Sequence, residues 1–198
     1  MMAAGGREIC RQLCRHRRAV LVTTIAMLVY DVCQAEDAAS LGRAAVCTIM
    51  AMPAAVLDSL YGKLYHRASF ALSSSGLLLA VLQEAMYGNG RLLSSMAGGA
   101  LFGLLMLIVF VVGRGSMGFG DVCFAAGLGT FIPPEQIVQT FFLTFLLGGL
   151  AALMVCLSRA VRGMQPADRI PLGPFLTAAC LLSILHGQQM MRWYLGGY

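Results

Sequence analysis

Two aspartates, Asp58 and Asp121, occupy the positions in this sequence that suit acid–base chemistry best. Asp58 directly follows the apolar stretch 41–57, and Asp121 opens the apolar stretch 121–132. Two carboxyl groups at one depth can hydrolyse a peptide, because the ionised one takes a proton from water while the protonated one polarises the scissile carbonyl. If both residues lie on the same side of a membrane, the sequence predicts an aspartyl hydrolase.

An aspartate at the end of a helix is usually a cap or a solvated charge, and each of the two, taken alone, fits that interpretation. Asp121 differs because it follows Gly118-Phe119-Gly120. Glycine has no Cβ, so a second backbone can approach the carboxylate closely there. Non-helical, glycine-rich backbone at membrane depth is tolerated only where it faces protein or a water-filled cavity. The surroundings of Asp121 therefore favour a functional site.

The other acidic residues have ordinary explanations. Asp31 and Glu84 lie near the outer ends of apolar segments. Glu36, Asp37 and Glu135 lie in outer loops, and Glu8 lies in a basic tail. Asp168 precedes Ile170-Pro171, which is the arrangement of a helix N-cap with a proline in the first turn. Elimination leaves Asp58 and Asp121 as the candidate catalytic pair.

The motifs of other chemistries are missing or out of context. Residues 113–118 match the spacing G-x-G-x-x-G, but an apolar span precedes them where a dinucleotide site needs a strand. The sequence contains no G-x-S-x-G and no H-E-x-x-H, and its seven cysteines form no C-x-x-C. Cys10, Cys14 and His16 come nearest to a ligand cluster, and they lack a second ligand pair. We therefore expect neither a metal nor an organic cofactor.

The composition predicts a protein that lies in a lipid bilayer. Apolar residues make up 59% and charged residues 12% of the 198 residues, whereas soluble domains have about 45–50% and about 25%. The net charge of +5 comes from basic residues scattered among apolar stretches. It therefore indicates charged membrane loops and not nucleic-acid binding. The predicted fold class is all-α, a polytopic bundle of transmembrane helices.

About seven apolar segments recur along the chain. Most have the ~17–25 residues that cross a hydrocarbon core. They are Ala19–Ala35, Leu41–Leu57, Ala68–Met86, Leu92–Val112, Asp121–Ile132, Ile137–Leu157 and Ile170–His186. The fifth is short, because a helix of about twelve residues extends only about 18 Å in a core about 30 Å thick. Asp121 is therefore expected at a depth where an acidic residue is costly and marks a functional site.

The distribution of basic residues predicts the orientation. With a cytoplasmic N-terminus, seven spans place eleven of the 14 Lys and Arg residues on the inner side: Arg7, Arg11, Arg15, Arg17, Arg18, Lys63, Arg67, Arg114, Arg159, Arg162 and Arg169. The outer side holds Arg43, Arg91 and Arg192. Cytoplasmic loops are enriched in Lys and Arg, so both aspartates are predicted to lie on the inner side. We also predict a basic cytoplasmic tail over residues 1–18 and a single membrane-embedded domain over residues 19–198.

Three stretches resemble the type IV prepilin peptidases, a family of membrane aspartyl proteases. Gly118–Val122 is similar to their G-x-G-D motif, which presenilin-type proteases share more distantly. Ile170–Leu176, which reads Ile-Pro-Leu-Gly-Pro-Phe-Leu, resembles the I-P-F-G-P-F-L stretch that opens their last helix. Asp58, followed by the basic loop 62–67, sits where the family has its first aspartate. The matches come in the family's order and span roughly residues 42–185.

The resemblance implies a role for each motif. Asp58 and Asp121 would be the catalytic pair, and the motif residues that support the backbone around them would be Gly118, Gly120, Pro171, Gly173 and Pro174. The implied substrates are prepilins or pseudopilins of type IV pili or protein secretion systems, each with a short basic leader before a hydrophobic helix. Cleavage would take place at the cytoplasmic face of a bacterial inner membrane.

The chain also departs from the family. The family usually has asparagine near His66 and commonly lysine near Cys123, so no role is carried over to either residue. Bifunctional members have a cytoplasmic four-cysteine zinc domain that methylates the new N-terminus. The connection Glu36–Ser40 between the first two spans is too short for such a domain. The resemblance therefore implies a short, peptidase-only form without N-methyltransferase activity.

Two other functions remain open at this point. A small transporter could use the two acids as proton or cation sites, although no inverted repeat relates the halves of the chain. A non-catalytic scaffold of a secretion system would tolerate asparagine at both positions.

Overall fold

The chain is helical in most of the residues that the computed structural model describes, which are 16–34, 38–62, 64–88, 90–114, 117–161, 171–194 and 196. The helices are α1 (Arg17–Gln34), α2 (Ala38–Tyr61), α3 (His66–Tyr87), α4 (Arg91–Val112), α5 (Phe119–Gly129), α6 (Pro134–Val161) and α7 (Gly173–Tyr194). No strand occurs within these ranges. The prediction of an all-α fold is therefore confirmed, and each predicted apolar segment corresponds to one helix.

Four of the helices, α2, α3, α4 and α6, are long and apolar enough to cross a membrane by length and composition. They also expose large apolar side chains, such as Phe70 on α3 and Phe142 on α6. Continuous apolar surface of this kind suits lipid and not water. The chain is therefore a multi-pass membrane protein. Its number of spans and its orientation stay predictions, and residues 1–15 of the predicted tail lie outside the described residues.

Two helices differ in length from the apolar segments that predicted them. α6 begins at Pro134 and ends at Val161, so it extends past Ile137–Leu157 on both sides. Proline suits the first turn of a helix, where its missing N–H has no intrahelical partner to lose. α7 continues past His186 to Tyr194, because glutamine, methionine and arginine favour a helix even where the apolar pattern has ended.

The short helix α5 lies in the interior of the bundle and contacts α3, α4 and α7. Its residues Phe124, Ala125 and Leu128 are fully buried. α4 packs against it backbone to backbone, since a Cβ on Gly98 would lie 2.5 Å from the carbonyl oxygen of Gly129. Small residues allow membrane helices to approach this closely. The neighbouring helices thus hold in place a helix of 11 residues that is too short to span a bilayer alone.

α6 and α7 run antiparallel, and their contacts show how the two helices are offset along their axes. Thr140 donates a hydrogen bond to Ser183 across the pair at 2.7 Å. Further along, a Cβ on Gly148 would lie 3.5 Å from the Cδ1 atom of Leu172, just before α7 begins. The start of α7 is therefore level with the middle of α6. Residues 149–161 of α6 continue beyond it for about 20 Å, at 1.5 Å per residue.

The ends of α2 and α4 and the starts of α3, α5 and α7 meet at one end of the bundle, which we call the site end. Gly120 in α5 packs against Leu64 in the connection between α2 and α3. The ring of Phe119 lies 5.8 Å from that of Phe110 on α4 and 6.1 Å from that of His66 on α3, measured between centroids. The predicted site residues therefore lie at this end.

Candidate active site

Asp58 lies in the last turn of α2, and its side chain is buried. Its Oδ2 atom accepts a hydrogen bond from the backbone N–H of Gly173, the first residue of α7, at 2.8 Å. A Cβ on Gly173 would lie 2.7 Å from that same oxygen, so the absence of a side chain is what lets the backbone reach the carboxylate. The start of α7 therefore holds the Asp58 carboxyl group in one orientation.

Asp121 lies in the first turn of α5 and is partly exposed. Its Oδ2 atom accepts a hydrogen bond from the backbone N–H of Gly118, the N-cap residue, at 3.2 Å. This is one half of a capping box, in which a side chain three residues into the helix bonds back to the N-cap N–H. Gly118 has no side chain to form the other half. The bond directs the carboxyl group of Asp121 towards the start of its own helix.

The fold brings the two carboxyl groups together at the site end. They are close enough that the charge of Asp58 acts on Asp121. Among the described residues, no group bonds the Oδ1 atom of either aspartate. Each carboxyl group is thus held through one oxygen and leaves the other for water or substrate. One ionised and one protonated carboxyl group in this arrangement can activate water and polarise a carbonyl.

Gly120 and the two residues that depart from the family pattern, His66 and Cys123, also belong to the site end or to α5. A Cβ on Gly120 would lie 2.9 Å from the carbonyl oxygen of Leu64, so glycine lets α5 pack against the connection that follows Asp58. His66 is exposed at the start of α3, and Cys123 is half-buried on α5. His66 touches the ring of Phe119, which places it beside the candidate site.

The prolines of the second motif flank the residue that contacts Asp58. Pro171 and Pro174 are half-buried on either side of Gly173. Pro174 is the second residue of α7, where its missing N–H breaks no helical hydrogen bond. Ile170 and the predicted N-cap Asp168 lie outside the described residues. The described part of the motif therefore presents one backbone N–H, that of Gly173, to the Asp58 carboxylate.

Asp31 is the acidic residue that sequence reasoning passed over. It was expected near an outer helix end, but its side chain is completely buried. Its Oδ2 atom accepts a hydrogen bond from Thr48 on α2 at 2.6 Å. Thr48 lies ten residues before Asp58, or about 15 Å along α2, so Asp31 is not part of the pair. Its position inside the apolar stretch 19–35 was the available signal, since acids in such stretches are rare.

Metal-ligating side chains do not gather elsewhere in the part of the chain that the structure describes. No three His, Cys, Asp or Glu residues converge there. Cys47 and Cys180 approach each other to 3.7 Å between Sγ atoms, but both are fully buried in the apolar core, where cysteine behaves as a small hydrophobe. The aspartate pair is thus the candidate site for chemistry.

Comparison with known proteins places both aspartates in a matched region. The model of the type IV leader peptidase family matches residues 45–153. A curated relative from Aeromonas hydrophila, named prepilin leader peptidase/N-methyltransferase, is 28% identical over 124 residues, which cover 62% of this chain and 42% of the relative. The protein of that name from Pseudomonas aeruginosa is 29% identical over 120 residues, covering 60% and 38%. The one from Dichelobacter nodosus is 27% identical over 176 residues, covering 86% and 58%.

No solved structure matches the chain. The chain spans about two fifths of the length of the first curated relatives it matches. The family match ends at residue 153, before α7 begins. Gly173, whose N–H bonds Asp58, therefore lies outside the residues that the family model matches.

Proposed function

The chain belongs to the type IV leader peptidase family, and on that premise we propose that it is a membrane aspartyl endopeptidase. Its substrates are prepilins or pseudopilins, from which it removes a leader peptide. The observation that carries the proposal is the pairing of Asp58 and Asp121, which both lie within the matched residues and meet at one end of the bundle.

Asp58 and Asp121 divide the hydrolysis between them. The ionised member takes a proton from a water molecule held between the two carboxyl groups, and the water oxygen bonds to the carbonyl carbon of the scissile peptide. The protonated member donates a hydrogen bond to the carbonyl oxygen, where negative charge develops. When the C–N bond breaks, the leaving amine receives a proton. The products are one carboxyl terminus and one amino terminus, and the pair again shares one proton.

The surface beside the pair suits a substrate that is itself embedded in the membrane. α6 extends past the start of α7, and large apolar side chains are exposed along that extension: Leu150, Leu153, Met154, Leu157 and Val161. Gly149 has open space where a Cβ would be, which permits close approach of another helix. An apolar substrate helix can therefore pack against the exposed apolar surface of α6, with the peptide bond that precedes it at the carboxyl pair.

The cytoplasmic face of a bacterial inner membrane is the proposed place of cleavage. Eleven of the 14 basic residues fall on the side of the aspartates when the spans are counted from the sequence. Basic residues concentrate on the cytoplasmic side of membrane proteins.

Cleavage of a prepilin by the purified chain tests the proposal. Asp58→Asn and Asp121→Asn should each lower the rate at least about a thousandfold, because asparagine has nearly the same shape but cannot act as the base. The double variant should be no worse than either single one, since residues that act as a unit are non-additive. The readout is the mobility shift of the substrate on a gel, with the cleavage point identified by mass spectrometry.

Asp31→Asn is the matched control. Asp31 is also a buried aspartate, and asparagine can still accept the hydrogen bond that Thr48 donates. This variant should keep most of the activity, with an unchanged cleavage point. Substantial cleavage by Asp58→Asn or Asp121→Asn would instead remove the pair from the chemistry and favour a transporter or a non-catalytic scaffold.

A further inference from the structure

The first helix, α1, begins at the site end, close to Asp58. The ring of His16, just before α1, lies 5.9 Å from the ring of Tyr61 at the end of α2, measured between centroids. Further along α1, Asp31 accepts the hydrogen bond that Thr48 of α2 donates. The two helices therefore run antiparallel. Because Tyr61 follows Asp58 by three residues, or about 4.5 Å along α2, the chain enters α1 within about one helical turn of Asp58.

The packing of α1 on α2 fixes this starting point. Val20, in the first turn of α1, is buried, and Asp31 near its other end is completely buried. Buried residues at both ends hold α1 along its length, since each would lose its contacts if the helix shifted. Residue 16, from which the preceding tail continues, is thus held beside the aspartate pair.

The sequence before α1 has the same order of features as the proposed substrates. Residues 1–15 contain three arginines, Arg7, Arg11 and Arg15, and a single acid, Glu8. An apolar helix, α1, follows them. A prepilin likewise carries a short basic leader before a hydrophobic helix, so the tail and the leader have the same charge and precede their helices in the same direction. A site that accepts a basic leader can therefore accept this tail.

We propose that the basic segment 7–15 occupies the part of the active site that takes the leader and so competes with the substrate. The inference rests on the proposed function, because it requires a site that accepts a basic leader. Helices in contact have axes about 8–10 Å apart, so about three extended residues of about 3.3 Å each cross from α1 over α2. Arg11 and Arg7 precede those three residues. Their guanidinium groups are suitable partners for the ionised carboxyl group of the pair.

The covalent connection makes even weak binding of the tail effective. Groups joined by a short linker meet at an effective concentration of about 1 mM. A segment with a Kd of about 0.1 mM then raises the apparent KM of a competing substrate about tenfold. A saturating substrate displaces the tail, so kcat should not change. The exposed apolar surface of α6 stays available to the substrate helix, because α1 packs on α2.

Prepilin cleavage by the purified full chain and by a chain without residues 2–15 tests the proposal. Both are measured in detergent, where orientation in a membrane has no influence, and the Tm of each shows that it is folded. We expect the shortened chain to have a KM about tenfold lower and a kcat within about twofold of the full chain. The triple variant Arg7→Gln, Arg11→Gln, Arg15→Gln keeps the length of the tail and should also have a lower KM.

A synthetic peptide of residues 1–15 provides the second measurement. Added to the shortened chain, it should inhibit cleavage competitively with a Ki of about 0.1 mM, and the same peptide with R7Q, R11Q and R15Q should not inhibit. A free peptide leaves the charge of the protein unchanged, so inhibition separates occupancy of the site from repulsion between a basic tail and a basic leader. Arg192→Gln, which removes an exposed charge near the end of α7, is the control and should leave KM within about twofold of the wild type.

Three results would overturn the proposal. Equal KM values for the full and the shortened chain would exclude competition by the tail and leave the proposed function intact, since both chains cleave. A lower KM of the shortened chain without inhibition by the free peptide would show that the tail repels the leader and does not occupy the site. Absence of cleavage by both chains would instead remove the proposed function, and the competition with it.

Discussion

At the scale of single residues, the glycines of the two motifs matter through the side chains that they lack. A Cβ on Gly173 would lie 2.7 Å from the Oδ2 atom of Asp58, and a Cβ on Gly120 would lie 2.9 Å from the carbonyl oxygen of Leu64. Real Cβ atoms do not approach other atoms so closely, so a larger residue would displace one partner. Each glycine thus sets the position of an aspartate or of the helix that carries it.

Gly173→Ala should lower leader cleavage about a hundredfold while the protein remains folded. The added methyl group displaces the Asp58 carboxyl group, and a misplacement of about 1 Å can cost about a hundredfold in rate. The measurement is kcat/KM for prepilin cleavage, together with the Tm of the purified variant. Gly42→Ala is the matched control, because a Cβ at Gly42 meets nothing within 4 Å. If both variants cleave like the wild type, the Gly173 contact does not position Asp58.

The sequence was sufficient to propose Asp58 and Asp121 as the candidate pair but not to show how they are held. Their selection depended on elimination among nine acids, on the charge distribution and on the motifs. The hydrogen bond from Gly173 to Asp58 joins residues 115 positions apart, and no local pattern predicts such a contact. Asp31 was passed over because it lies near the end of the segment 19–35, where an acidic side chain is expected to be solvated, and the sequence does not show which helix packs over it. Its partner Thr48 lies on another helix.

At the scale of helices, the apolar stretches predicted how many helices form, whereas the ends of the helices and their packing did not follow from that pattern. Each of the seven predicted segments has its helix in the structure. α6 and α7 exceed their segments because helix propensity continues after the apolar pattern stops. The shortness of α5 was predicted from the proline pair at residues 133–134. The close packing of α5 on α4 could not be predicted, because it depends on which face of α4 carries Gly98.

Gly98→Ala should destabilise the bundle by about 1–3 kcal/mol, the usual cost of overpacking a well-packed core. A Cβ there would lie 2.3 Å from the carbonyl oxygen of Ile132 and 2.5 Å from that of Gly129. Backbone atoms cannot move aside as a flexible side chain can, so α4 and α5 must separate. The measurement is thermal or denaturant unfolding in detergent. In Gly42→Ala the new Cβ meets nothing within 4 Å, so this control should lose no stability. Equal stability of the two variants would contradict the close packing.

At the scale of the whole molecule, the two ends of the bundle differ in chemistry. The site end gathers the aspartate pair, and α6 extends beyond it with exposed apolar side chains such as Leu153 and Leu157. The start of α7, which contacts Asp58, is level with a point about 20 Å before the end of α6. If residues 149–161 of α6 are in lipid, the aspartate pair lies inside the hydrocarbon core. A pair that hydrolyses peptides at that depth needs a path for water, and the partly exposed Asp121 is the member that such a path reaches first.

The orientation of the chain yields the last prediction. Eleven basic residues fall on the side of the aspartates and three on the other, so the positive-inside rule predicts that the site end faces the cytoplasmic side of the membrane. We expect Ser59→Cys and Ser116→Cys to react with a membrane-impermeant maleimide only after cells are lysed. Asn89→Cys, in the connection between α3 and α4, should react in intact spheroplasts. The background chain has alanine at Cys10, Cys14, Cys33 and Cys156 and is the control without an added cysteine.

Labelling of positions 59 and 116 from opposite sides would contradict the meeting of the two aspartates at one end. Labelling of all three positions with the sides exchanged would reverse the orientation, so that the same carboxyl pair would face the outside.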